Sequence, residues 1–233
     1  MDLKTLYSER FAADAADQAN LKKKNAIWEV LCREFFQKFI PEGAVIVDIG
    51  AGYCEFINNI RTSVKSPEKS GAAGRKIAVD LNEDIKRFAG PDVEVINGDV
   101  LDIRSLDSDS CDVVFISNFL EHLPNKDLIL RLFSECRRLL RPGGRLLILQ
   151  PNIRYVKGAY WDFFDHHTPL TEKSLAEALL LSGFRVETSF AKFLPYTTKS
   201  RLPQHPALIS LYLKIPLAWQ FLGKQCFVAA TPK

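Results

Sequence analysis

A chain of 233 residues with 47% hydrophobic and 25% charged positions can bury a full core, which excludes a disordered chain. Its net charge of +3 is too small to argue for nucleic acid as a partner. The five cysteines are odd in number and widely spaced, so reduced thiols in a cytoplasmic protein are expected rather than a disulfide framework. No leader is expected at the polar N-terminus, and no apolar run reaches the about 18–20 residues that span a bilayer.

Residues 3–11 and about 19–40 are predicted to be helical. In the second stretch Ile27, Val30, Leu31, Phe35 and Phe39 recur near helical spacing, Lys22 to Lys24 form a solvated side, and Pro41 and Gly43 end it. Residues 1–40 thus read as a helical cap on a domain over 41–233. That domain opens with Val45-Ile46-Val47-Asp48-Ile49-Gly50-Ala51-Gly52, an apolar strand ending in an acid and a glycine turn. In the dinucleotide fingerprint G-x-G-x-x-G the third glycine would fall at Glu55, whose charge repels a pyrophosphate; D-x-G-x-G suits a ligand with an ammonium group and no phosphate there.

A helix over 54–62 and a polar loop over 63–74 should follow. Further strands are expected at 76–82, 93–100, 111–118 and 146–150, with a short helix at 83–89, an amphipathic one at 125–140 and one over 172–182 capped by Thr171; Arg141 to Arg145 should end the helix at 125–140 and turn the chain. Strands alternating with helices imply a doubly wound parallel sheet, whose ligands sit beyond the carboxyl ends of the strands. Asp48, Asp80, Asp99 and Asn118 all fall at such ends. Taken singly, Asp48 and Asp99 could also be turn or helix caps.

The glycine turn, the acids at successive strand ends and Arg141-Pro142-Gly143-Gly144 before the fifth strand together resemble the class I S-adenosylmethionine-dependent methyltransferases over roughly residues 40–190, with Cys54 where the family usually has a third glycine. The resemblance implies an α/β fold with a seven-stranded, mostly parallel sheet of order 3-2-1-4-5-7-6 and helices on both faces, with 184–190 and 225–230 as the edge hairpin. It implies S-adenosyl-L-methionine as cofactor and S-adenosyl-L-homocysteine as product. Asp48, Gly50, Ala51 and Gly52 would hold the methionine part, Asp80 and Leu81 the ribose side, Asp99 and Val100 the adenine, and Asn118, Phe119 and His122 would line the sulfonium side. Tyr7, Arg10 and Phe11 resemble a Y-x-x-R-F segment that folds over the cofactor, or else a packing helix.

Methyl transfer needs a general base only for a poor nucleophile such as a hydroxyl. His166, Thr171 and Leu175 match the H-x-x-x-x-T-x-x-x-L segment of many small-substrate methyltransferases, which makes His166 the first candidate base and His167 the second, or else loop-fixing residues. Tyr160, Trp161 and Phe164 would wall the acceptor pocket. No metal site is expected, since Asp162, Asp165, His166 and His167 lack a usual ligand spacing. Asn118-Phe119-Leu120-Glu121 departs from the Asn/Asp-Pro-Pro-Tyr of amino-group methyltransferases. The chain's ending resembles that of methyltransferases from bacterial polysaccharide and lipid-glycan pathways, and this resemblance implies a small-molecule or glycan acceptor, most simply methylated on oxygen. The rivals are a catalytically silent binding subunit and an NAD-dependent oxidoreductase. The apolar, basic insert at about 194–222 reads as a substrate lid, a homodimer contact, a peripheral membrane or lipid-linked substrate contact, or core.

Overall fold

The computed structural model describes residues 17–62, 74–196 and 205–233. The expected helix at 3–11, with Tyr7, Arg10 and Phe11, lies outside them, as does nearly all of the loop at 63–74.

Helix α1 (Gln18–Glu34) starts where the Asp17 side chain accepts the Asn20 N–H at 3.0 Å. The sequence predicted one helix to residue 40. Instead the chain tightens into a 3-10 turn over Phe36–Phe39, a usual way for a helix to end, here with Phe35, Phe36 and Phe39 each in ring contact with Phe227.

Seven strands follow: β1 (Val45–Ile49), β2 (Arg75–Asp80), β3 (Val93–Asn97), β4 (Cys111–Ser117), β5 (Leu140–Pro151), β6 (Phe184–Phe190) and β7 (Gln225–Pro232). They form one sheet in the order β3-β2-β1-β4-β5-β7-β6. β1 to β5 pair in parallel, and β7 runs antiparallel to both β5 and β6. This is the expected topology, and its order reverses between β1 and β4. Alternate residues feed two cores, as a period of two requires. Val47, Val114, Ile116 and Ile148 enter one, backed by α3 (Lys126–Leu139) and α5 (Glu172–Leu181). Ile46, Phe115, Leu147 and Phe227 enter the other, backed by α1 and α2 (Glu55–Asn59).

Two local expectations are corrected. β5 begins at Leu140, where a turn over 141–145 was expected. Leu140 pairs with Cys111 and Arg145 with Val113, so the Pro-Gly-Gly segment is a bulge inside the strand, with Gly143 at φ 81 and Arg141 held 3.0 Å from Asp112. Between β5 and α5 the sequence reading named no element. The chain there forms α4 (Ile153–Val156), capped by Asn152, and a 3-10 turn over Lys157–Asp162. The insert after β6 is α6 (Pro206–Lys214) and α7 (Pro216–Leu222), broken at Pro216 as expected. Leu213 and Trp219 are buried in the α1-side core, whereas Leu211, Leu217 and Phe221 are exposed.

Candidate active site

The turn after β1 needs left-handed backbone at Gly50 (φ 65), Gly52 (φ 52) and Cys54 (φ 58). A Cβ on Gly50 would stand 2.3 Å from the Phe119 ring, so glycine is required both by the turn and by the close packing of Phe119. Cys54 adopts the conformation that glycine would take at no steric cost. Its side chain is fully buried in the α2-side core, which accounts for a side chain being present there.

Asp48 is 3% exposed. Burial, with the nearby charges of Glu55 and Asp80, lifts its pKa well above the usual carboxylate range, against the pull of the Ile57 N–H. Asp80 is oriented from both sides: one oxygen accepts the Gly52 N–H at 3.0 Å and the other the Asn82 N–H at 2.9 Å. Three carboxylates around one glycine turn favour a cationic ligand and oppose a phosphate.

The other rim positions lie at the same ends of the strands. Leu81 stands exposed beside Asp80. Asp99 is exposed and accepts the Leu101 N–H at 2.9 Å, closing a turn, while Val100 is buried in the core. Asn118 takes a left-handed φ of 46, is exposed, and leads into Phe119 over Gly50.

A second polar cluster begins two residues beyond Phe119, within about 7 Å along the backbone. Glu121 is 2% exposed, and burial raises its pKa. His122 Nδ1 lies 3.1 Å from an Asp165 carboxylate oxygen and 3.2 Å from the Asp165 carbonyl. Burial depresses the His122 pKa, but the Asp165 bond and the Glu121 charge outweigh it, and the net shift is upward. His166 is buried, with Nδ1 2.8 Å from the Tyr160 carbonyl. Carboxylate and carbonyl oxygens only accept, so both histidines carry a proton on Nδ1, and in its neutral form each has its lone pair on Nε2. The His122 and His166 rings meet edge to face at 5.0 Å, and Phe163 stacks on His166 at 4.9 Å.

The cluster holds polar atoms left short of partners. Glu121 Oε2, both amide atoms of Gln150 and the Tyr160 hydroxyl are buried and make no hydrogen bond of ordinary geometry among the described residues, although the Gln150 amide is near enough to Glu121 to pull its pKa down against burial. Each such atom costs about 1–3 kcal/mol unless a ligand or water meets it. Tyr196 joins from beyond β6, its pKa pushed up to about 12 by burial and the charges of Glu121, Asp162 and Asp165. His167 is exposed and donates its backbone N–H to the Glu121 carbonyl at 2.7 Å. Trp161 and Phe164 are exposed, and Tyr160 is buried.

The structure thus gathers the strand-end acids along one rim and sets His122 and His166 together at the far end of β4 and β5. Sequence reasoning did not single out Glu121, Gln150 or Tyr196. Gln150 carried the same signal as the others, a polar residue closing a parallel strand.

A family profile described as "Methyltransferase domain" matches residues 47–148. Among curated proteins the chain is similar to a demethylmenaquinone methyltransferase of Bacillus velezensis, 27% identical over 144 residues and covering 60% of each chain. It is also similar to a probable S-adenosylmethionine-dependent methyltransferase of Mycolicibacterium smegmatis, 33% identical over 126 residues, 52% of this chain and 48% of that one. The matches thus span about half to three fifths of those relatives. A crystal structure of an S-adenosylmethionine-dependent methyltransferase from Archaeoglobus fulgidus shares the fold over 100% of both chains, with a TM-score of 0.61 at 22% identity.

Proposed function

Since the chain carries a class I S-adenosylmethionine-dependent methyltransferase domain, we propose that it transfers the methyl group to a hydroxyl of a small-molecule or glycan-type acceptor. The observation that carries this reading is the buried cluster of Glu121, His122, Gln150, Tyr160 and His166, joined through Phe119 to the glycine turn. An amine or a thiolate can attack a sulfonium unaided, whereas a hydroxyl must lose its proton as the O–C bond forms.

In this reading the ammonium and sulfonium lie against the Asp48, Glu55 and Asp80 charges, and Asp80 accepts from the ribose hydroxyls. Leu81 stands on the ribose side, Asp99, beside Val100, flanks the adenine, and Asn118 and Phe119 bound the methyl-bearing sulfur. The acceptor hydroxyl faces the polar cluster. His166, its Nδ1–H tied to a carbonyl and its lone pair on Nε2, receives the proton, with His167 as the second proposed base. Tyr160, Trp161 and Phe164 border the acceptor. The rest of the acceleration comes from aligning oxygen, methyl carbon and sulfur in a dry site.

Calorimetry should show S-adenosylhomocysteine binding and none for NAD; the reverse overturns the cofactor assignment. With labelled S-adenosylmethionine and a panel of hydroxyl, amine and thiol acceptors, label should enter hydroxyl compounds. His166→Ala should lower that turnover roughly 100-fold or more while homocysteine-product affinity holds. Transfer confined to amines, or unchanged turnover in the variant, refutes the oxygen-acceptor reading.

A further inference from the structure

We infer that Glu121, His122 and His166 form a binding site for one divalent transition-metal ion. The inference deepens the reading above and rests on it for its role: the cation would sit where the acceptor hydroxyl loses its proton.

One carboxylate oxygen of Glu121 and one ring nitrogen from each histidine lie within 4.8 Å of one another. Around an ion with bonds of about 2.1 Å, neighbouring donor atoms stand about 3.0–3.4 Å apart. Small side-chain rotations close that difference, and the three residues leave further positions open for water or substrate. Two nitrogens and one carboxylate suit manganese, iron, cobalt or zinc better than magnesium or calcium, which prefer all-oxygen sites.

The surroundings point the same way independently. Ligating histidines characteristically donate their second ring N–H to a carboxylate or a carbonyl. His122 donates to Asp165, which is 1% exposed, and His166 to the Tyr160 carbonyl. Both rings are thereby locked in the tautomer that offers Nε2 as donor. Glu121 Oε2 is buried and makes no hydrogen bond of ordinary geometry among the described residues, and a cation would satisfy it. Gln150 and the Tyr160 hydroxyl supply polar atoms for the ion's waters or for the acceptor. With an ion held by Glu121, His122 and His166, a coordinated hydroxyl would have a lowered pKa and would pass its proton to water as the O–C bond forms; without the ion, His166 Nε2 takes the proton.

The test uses the full chain, stripped with chelator and then titrated separately with Mn²⁺, Co²⁺ and Zn²⁺. Calorimetry should give one ion per chain for at least one of them, and Co²⁺ should produce visible d–d absorption. Glu121→Gln and His166→Asn should abolish that binding, and Asp165→Asn should weaken it about 10- to 100-fold. Far-UV circular dichroism and a cooperative thermal unfolding transition report whether each variant has folded. A parent that binds the homocysteine product but none of the three ions overturns the metal inference and leaves the methyltransferase reading standing. A parent that binds one ion but not the product overturns that reading instead. Undiminished one-to-one binding in the folded His166→Asn variant places the ion elsewhere and also refutes the inference.

Discussion

Asp48 shows how a single residue couples burial to ligand choice. Its raised pKa means that the folded protein holds a proton that the unfolded chain has already released. Its contribution to stability is therefore greatest below the unfolded value of about 3.9 and declines as pH rises toward the folded value. A cationic ligand reverses the preference, because it interacts best with the ionised carboxylate. Binding of S-adenosylhomocysteine, which carries an ammonium, should then release a proton and tighten as pH rises from the ordinary carboxylate range toward the raised Asp48 pKa. Calorimetry in buffers of different ionisation enthalpy reads this directly, and Asp48→Asn should abolish the buffer dependence. Buffer-independent heats in the parent would show that the ammonium lies elsewhere. Glu55, by contrast, was informative in the sequence itself: its position in the motif argued against a pyrophosphate, and its charge does act on Asp48.

At the scale of elements, the glycine turn and the segment after β4 behave as one unit, since the Phe119 ring occupies the space over Gly50. Gly50→Ala places a Cβ at positive φ and against that ring. It should lose about 1–3 kcal/mol of stability and weaken S-adenosylhomocysteine binding together, as read by denaturant unfolding and calorimetry. Lost stability with intact binding would separate the turn from the cofactor site. The helix α5 illustrates the opposite case, an element whose start was readable from its cap residue. Thr171 caps it through the Ser174 N–H, and Ser174 returns a bond to the Thr171 N–H at 2.9 Å. The start was visible as a threonine before a helical pattern.

At the scale of the molecule, an aromatic core joins parts of the chain that are remote in sequence. Phe35 at the end of α1, Phe193 after β6 and Trp219 of α7 are in mutual ring contact, and Ser210 of α6 bonds Glu34 at 2.7 Å. The insert therefore belongs partly to the core, and its exposed face, with Leu211, Leu217 and Phe221, is what remains for a substrate lid, a second copy or a lipid surface. Among the described residues no helix is long and apolar enough to cross a membrane. Trp219→Ala should cost about 3–5 kcal/mol, visible as a lowered denaturant midpoint. A change below about 1 kcal/mol would mean that α6 and α7 are only loosely docked.

The strand order was implied by the resemblance to the methyltransferase family, whereas the sequence by itself determined the alternation of strands and helices, the glycine turn, the row of polar residues closing the parallel strands and the break at Pro216. These follow from local rules: a period of two in strands, backbone freedom at glycine, and the handedness of crossovers. It could not determine that Glu121 and His122, from the turn after β4, would meet His166 from the segment after β5. Nor could it show that Pro-Gly-Gly would bulge within β5, or that Leu213 and Trp219 of the apolar insert would be buried while most of it stays exposed. Those outcomes depend on which side chains packing brings together and which polar atoms it leaves without partners, and residues more than forty positions apart become neighbours only when the sheet between them has closed.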